Sequence, residues 1–193
     1  APMANVTDGA FRRLIAKYGK PDVTYNEFVS ADGLASAGRE ALMTDLIYSE
    51  RERPIVAQFF TSKPESMFEA AKLAAQLGFD GIDINMGCPD KNVMKQGAGA
   101  SLMKNPALAR ELIKAAKAGA PALPVAVKTR IGDTKNTLAT WLPELLAEAP
   151  AAVTIHARTR KEMSKVPARW EHVKEAADIA RGSGTLIVGN GDV

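Results

Sequence analysis

The feature that most limits the fold is a repeating unit, in which a short apolar run is followed by a helix-like stretch and then another apolar run. Residues 54–59, 82–85, 125–128, 153–156 and 186–190 are such runs, with weaker ones at 1–3 and 23–25. They return at intervals of very roughly 30 residues, the length of a strand-helix-strand unit. Most are apolar almost throughout, as strands of a parallel sheet covered on both faces must be. The stretches between them carry helix signals. Thr7 or Asp8 can cap a helix over Gly9–Tyr18 that Gly19 ends. Ser62 can open another, with Pro64 in its first turn and Met67, Ala70, Ala71, Ala74 and Leu77 on one face. Asn105 and Pro106 open a third. A helical region over 136–148 contains Pro143, which kinks or delays it. Residues 170–181 form the last, and 31–43 read as helical or irregular.

Two architectures alternate strands and helices in this way, an open doubly wound sheet and a (β/α)8 barrel. An open sheet that binds a dinucleotide shows G-x-G-x-x-G after its first strand, and nothing of that form follows Met3. The predicted fold is therefore α/β, an incomplete (β/α)8 TIM barrel with about seven strands, forming one domain over residues 1–193.

Composition narrows the function classes. No apolar run approaches the ~20 residues of a membrane span, and no leader pattern is visible, so a cytoplasmic location is predicted. One cysteine excludes an internal disulfide. With two histidines and no clustered ligand spacing, no metal site is expected. A net charge of +3 and a pI near 9.0 suit a polyanionic partner. A monomer is expected. The first and last residues do not resemble natural termini, and the chain reads as a piece of a longer protein.

In a barrel, chemistry gathers at the carboxyl ends of the strands. Nearly every strand here turns polar at that end: Met3 with Ala4 and Asn5, Asn26 with Glu27, Gln58, Asn85 with Cys88, Lys128 with Arg130, His156 with Arg158, and Asn190 with Asp192. One such change is commonplace, because strands must end somewhere. Repeated on successive strands, it places amide, ammonium, imidazole and thiol around one mouth. Each residue has a plainer reading alone: Lys128 as an exposed lysine, His156 as a core histidine, Gln58 as a backbone cap, Cys88 as a small buried hydrophobe.

The stretch 81–102 is the most informative. It runs as a strand to Asn85, breaks at Gly87, presents Cys88 beside the rigid Pro89, and continues into Gly97-Ala98-Gly99-Ala100. The glycines would let backbone pass close to something flat or bulky. A strand-end lysine, strand-end amides and backbone NH groups near Asn190 and Gly191 would suit a flavin, with the lysine stabilising negative charge on the reduced ring. A thiol with an ordinary pKa near ~8.5 stays protonated at neutral pH and can donate its proton. Hydride from one side and a proton from the other reduce an activated carbon–carbon double bond.

On these residues the chain resembles the tRNA-dihydrouridine synthases. The resemblance rests on 1–4 with Val6-Thr7-Asp8, Val56-Ala57-Gln58, Asp83-Ile84-Asn85-Met86-Gly87-Cys88-Pro89, Gly97-Ala98-Gly99-Ala100, Val127-Lys128-Thr129-Arg130, His156-Ala157-Arg158-Thr159-Arg160 and Gly189-Asn190-Gly191. It implies an FMN enzyme that uses NADPH to reduce uridine to 5,6-dihydrouridine in tRNA, with hydride passing from flavin N5 to C6. By position, it implies Cys88 as the proton donor to C5. Pro2, Met3, Ala4, Gln58, Lys128, His156, Asn190, Gly191 and Asp192 would contact the flavin or its phosphate. Asn85 would orient the uracil, and Lys91, Arg130 and Arg158 would contact RNA. It also implies a C-terminal helical domain, absent from this chain, that grips tRNA.

The chain departs from the family pattern near Ser164 and Val166, where an aromatic residue and a glycine are usual. Two other readings stay open on the sequence: an FMN-dependent barrel oxidoreductase acting on a small molecule, and a non-catalytic RNA-binding module.

Overall fold

The computed structural model describes residues 2–192. Its strands are β1 (Thr24–Tyr25), β2 (Val29–Ser30), β3 (Ile55–Phe60), β4 (Gly81–Asn85), β5 (Val125–Arg130), β6 (Ala152–His156) and β7 (Leu186–Asn190). All pairings are parallel, in the order β1-β3-β4-β5-β6-β7, and β2 pairs further along the same edge of β3 as β1. The result is a curled parallel sheet, an incomplete (β/α)8 barrel. The helices are α1 (Gly9–Tyr18), α2 (Ala31–Leu34), α3 (Arg39–Met43), α4 (Pro64–Gln76), α5 (Lys91–Lys95), α6 (Pro106–Gly119), α7 (Leu138–Leu146) and α8 (Glu171–Ile179). Of these, α4, α6, α7 and α8 pack side by side in sequence order. None among the described residues is long and apolar enough to cross a membrane.

Strand parity decides what goes where. Successive side chains point to opposite faces, and register partners share a face. One face carries Ile55, Ala57, Phe59, Ile82, Ile84, Val125, Val127, Val153 and Ile155, all buried in one core with the helices. The other face, the inner wall of the barrel, carries Gln58 opposite Asp83, Asn85 opposite Lys128, Arg130 opposite His156, and His156 opposite Asn190. Apolar residues hold the helices on, and polar ones collect on the wall.

Several local expectations change. The strand tail at residues 1–3 is not formed at Pro2 and Met3, and Ala1 lies outside the described residues. The Met3 carbonyl instead accepts from the Val6 and Thr7 NH groups, while its NH donates to Thr7 Oγ1, so its backbone is spent on a turn. The seventh strand is β2. Asp8, not Thr7, caps α1 by accepting from the Phe11 NH at 2.8 Å. Ser62 does not cap α4, whose N-cap position is Lys63 with no side-chain cap; the Ser62 hydroxyl donates to the Gln96 carbonyl instead. Pro143 sits inside α7, which starts two residues later than the helical region expected from 136.

Candidate active site

The inner wall ends in a hollow of about 480 Å3 at the carboxyl ends of the strands. Cys88 and Lys128 both line it, as do Asn85, Arg130, His156, Arg158, Asn190 and Gly191. Pro2, Met3 and Ala4 close one side, and Phe28 and Pro89 add apolar surface. Among the described residues, three of its lining side chains are cationic types and none is a carboxylate.

The turn bearing the thiol is held from several directions. Asn85 Oδ1 accepts from the Gly87 and Cys88 NH groups at 3.1 and 2.9 Å. Arg130 Nε donates to the Gly87 carbonyl at 2.8 Å. The Cys88 carbonyl accepts from the Ala100 NH at 3.0 Å. Gly99, at φ 58°, lets this return pass, since a Cβ there would stand 2.8 Å from that carbonyl. The glycine-rich stretch thus approaches the thiol's own backbone. Behind the half-buried Cys88 side chain lies a small cluster of Phe60, Val93, Ala98 and Phe28. Burial pushes the thiol above its ordinary pKa, against the pull of the Asp90 backbone NH and the charges of Arg130 and Lys128. At neutral pH it carries its proton.

The basic groups differ in how free they are. Burial brings Lys128 down to about 8, while the Asp83 carboxylate holds it up. Arg130 is committed to carbonyls, those of Gly87, Thr159 and Met163. Arg158 donates to the Val166 carbonyl at 2.6 Å, to both Asp192 oxygens at 2.5 Å and to His156 Nε2. Burial, with the charges of Arg130, Lys128 and Arg158, lowers His156 to about 3. Its ring is therefore neutral, with Nε2 as acceptor and the remaining proton on Nδ1.

The strand-end Asn5, Asn26 and Glu27 do not line the hollow, and neither do three of the residues expected to bind flavin or RNA. Gln58 is fully buried on the wall, bonded to Asp83 and Asn85. Lys91 is exposed at the start of α5. Asp192 is exposed and turned to Arg158 and the Ala168 NH. Two others went unnoticed as site residues. Phe28 gave no signal, since a loop phenylalanine reads as core. Asp83 did give one, as a carboxylate two residues before Asn85 on the same strand face.

A family model described as Dihydrouridine synthase (Dus) matches residues 1–193, the whole chain. The chain belongs to the dihydrouridine synthase family. Among curated relatives, one named Probable tRNA-dihydrouridine synthase 2, from Bacillus subtilis (strain 168), is 43% identical over 197 residues. One named Probable tRNA-dihydrouridine synthase, from Staphylococcus aureus (strain COL), is 41% identical over 197 residues. Both alignments cover 100% of this chain and 60% of the relative, so the chain spans about 60% of the length of these dihydrouridine synthases.

Proposed function

We propose that this chain is the flavin-binding catalytic barrel of a tRNA-dihydrouridine synthase, reducing uridine to 5,6-dihydrouridine in tRNA with FMN and NADPH. The observation that carries this reading is the composition of the hollow: a protonated thiol and three cationic side chains line it, with no carboxylate among the described lining residues. Such a lining fits an anionic ligand and repels a cationic one. FMN is anionic.

His156, Arg158 and the backbone at Asn190 and Gly191 would hold the FMN phosphate. Lys128 would stand where the reduced ring carries negative charge, and Pro2, Met3 and Ala4 would pack the ring. Asp192 serves by fixing Arg158, since a carboxylate set directly against a phosphate is repelled. When bound, reduced FMN supplies the hydride taken up at uracil C6.

The Cys88 thiol gives its proton to C5, and the two additions together saturate the double bond. A thiol held protonated by burial suits that task, and Lys128 and Arg130 nearby stabilise the thiolate left behind. Asn85 orients the uracil only through what its backbone duties leave free. The target base must leave its stack to reach the thiol, which costs a few kcal/mol. Lys91 offers an exposed phosphate contact, and a C-terminal helical domain outside this chain supplies the main grip on tRNA.

The test uses the full-length protein. It should purify yellow with FMN and oxidise NADPH in the presence of unmodified tRNA. Cys88→Ala should keep the flavin and lose about 10²–10⁴-fold of dihydrouridine formation, the usual weight of a positioned acid. A colourless protein, or a Cys88→Ala variant with turnover near wild type, overturns the reading.

A further inference from the structure

We infer that Asp83 is a positioning residue for the thiol: it anchors a buried chain of side-chain hydrogen bonds, Asp83–Gln58–Asn85, whose far end sets the Cys88 turn. The chain has one polarity. At the turn, two backbone NH groups require an acceptor, so Asn85 presents Oδ1 to Gly87 and Cys88. Its Nδ2 must then point away, and it donates to Gln58 Oε1 at 3.1 Å. With that oxygen taken, Gln58 Nε2 faces the other way and donates to Asp83 Oδ2 at 2.5 Å. Either amide alone could flip by exchanging its oxygen and nitrogen. Between NH donors at one end and a carboxyl acceptor at the other, neither can.

The three side chains are 1%, 0% and 6% exposed for Asp83, Gln58 and Asn85, so water does not compete for these bonds. Gln58 is also fixed through its backbone, whose NH donates to Asn26 Oδ1 at 2.7 Å. The remaining oxygen of Asp83, Oδ1, is buried with no hydrogen-bond partner among the described residues. An unpaired buried carboxyl oxygen weakens a fold. Packing alone would favour an aliphatic residue there, so the carboxyl has another use.

Burial raises Asp83 to about 7, with the Gln58 bond and Lys128 pulling it back down. Any proton it takes sits on the free Oδ1, which leaves Oδ2 to accept from Gln58. The anchor therefore works in both protonation states, and an asparagine offers the same acceptor.

The consequence for rate rests on the reading of Cys88 as the acid; the anchoring does not. The experiment uses full-length enzyme as wild type, Asp83→Asn and Asp83→Leu. It follows hydrogen exchange at the Gly87 and Cys88 amides, alkylation of the Cys88 peptide by iodoacetamide, and kcat and KM. Asp83→Leu should speed exchange at both amides by about ten-fold or more, as removal of a local restraint does. It should change the alkylation rate, and lower kcat about ten-fold or more with KM for tRNA held, as misplacement of a reacting group does.

Asp83→Asn should stay close to wild type in exchange at both amides; its kcat is a separate matter, because the Asp83 carboxylate also holds up the Lys128 ammonium. Gln58→Met, which cuts the chain in its middle, should reproduce the exchange change if Asp83→Leu fails to fold. Wild-type exchange at Gly87 and Cys88 in a folded Asp83→Leu or Gln58→Met variant overturns the anchor. An Asp83→Asn variant whose Gly87 and Cys88 amides exchange as fast as in the leucine one overturns it too, by making charge the cause. A fully active Cys88→Ala variant would defeat the acid reading and leave the exchange result standing.

Discussion

The Arg130 guanidinium donates to the Gly87 carbonyl at 2.8 Å, so the turn that carries the thiol is tied to the tip of the adjacent strand. The same group also reaches the Thr159 and Met163 carbonyls, joining three chain segments through one buried cation. A lysine cannot span three acceptors with a planar fork. Arg130→Lys should lower stability by about 1.5–3 kcal/mol, the range for hydrogen bonds to charged groups. A urea midpoint shift measures it, and an unshifted midpoint would mean that the three hydrogen bonds add nothing.

Arg130 and Lys91 should separate in RNA binding. Removing a side chain that neutralises one phosphate lowers the slope of log affinity against log salt by about one. Lys91→Ala in the full-length protein should show that change, because Lys91 is exposed. Arg130→Gln should leave the slope intact, since the Arg130 donors already face carbonyls. Equal slopes for wild type and Lys91→Ala would remove Lys91 from the interface.

Gly99 is a point where the returning backbone meets that of Cys88. At φ 58°, an alanine carries a penalty of about 1–2 kcal/mol for its conformation alone. Its Cβ would also stand 2.8 Å from both the Cys88 carbonyl and Val93 Cγ1. Gly99→Ala should therefore destabilise the fold by at least that amount and alter the alkylation rate of Cys88. A variant unchanged in both would show that the loop yields freely.

Asp83, which is buried, and His156, which is partly buried, should give stability opposite pH slopes. His156 is lowered from 6.5 to about 3 in the folded state. Its contribution is complete above pH 6.5 and is lost as pH falls toward 3, because the unfolded chain takes the proton first. Asp83 is raised from 3.8 to about 7. Its contribution is complete below pH 3.8 and is lost as pH rises through about 7, because the unfolded chain sheds the proton first. Compared with His156→Gln, wild type should lose ground on acidification; compared with Asp83→Asn, it should lose ground on alkalinisation. Urea midpoints at several pH values read both, and parallel curves for either pair would refute that assignment.

Much of this was legible beforehand, because strand parity and helix caps are local. Gly9–Tyr18 emerged from its flanking Asp8 and Gly19, and the polar strand ends identified Lys128, His156 and Asn190 as neighbours. What escaped was long-range. Nothing near Arg130 or Arg158 shows that carbonyls 8 to 43 residues away would occupy them. Nothing near Gln58 shows that its amide would face Asp83, 25 residues on, rather than open space. Val29–Ser30 is too short to leave a pattern, and it is defined only by its pairing with Phe59 and Phe60.

In Gly81–Asn85, odd positions face the wall and even ones the helices, so this strand serves two masters with a period of two. Swapping one side chain edits one of them. Inserting a single residue would transpose both, sending Asp83 and Asn85 into the oily layer and the isoleucines into the basin. Evolution can retune this segment letter by letter but never shift its frame.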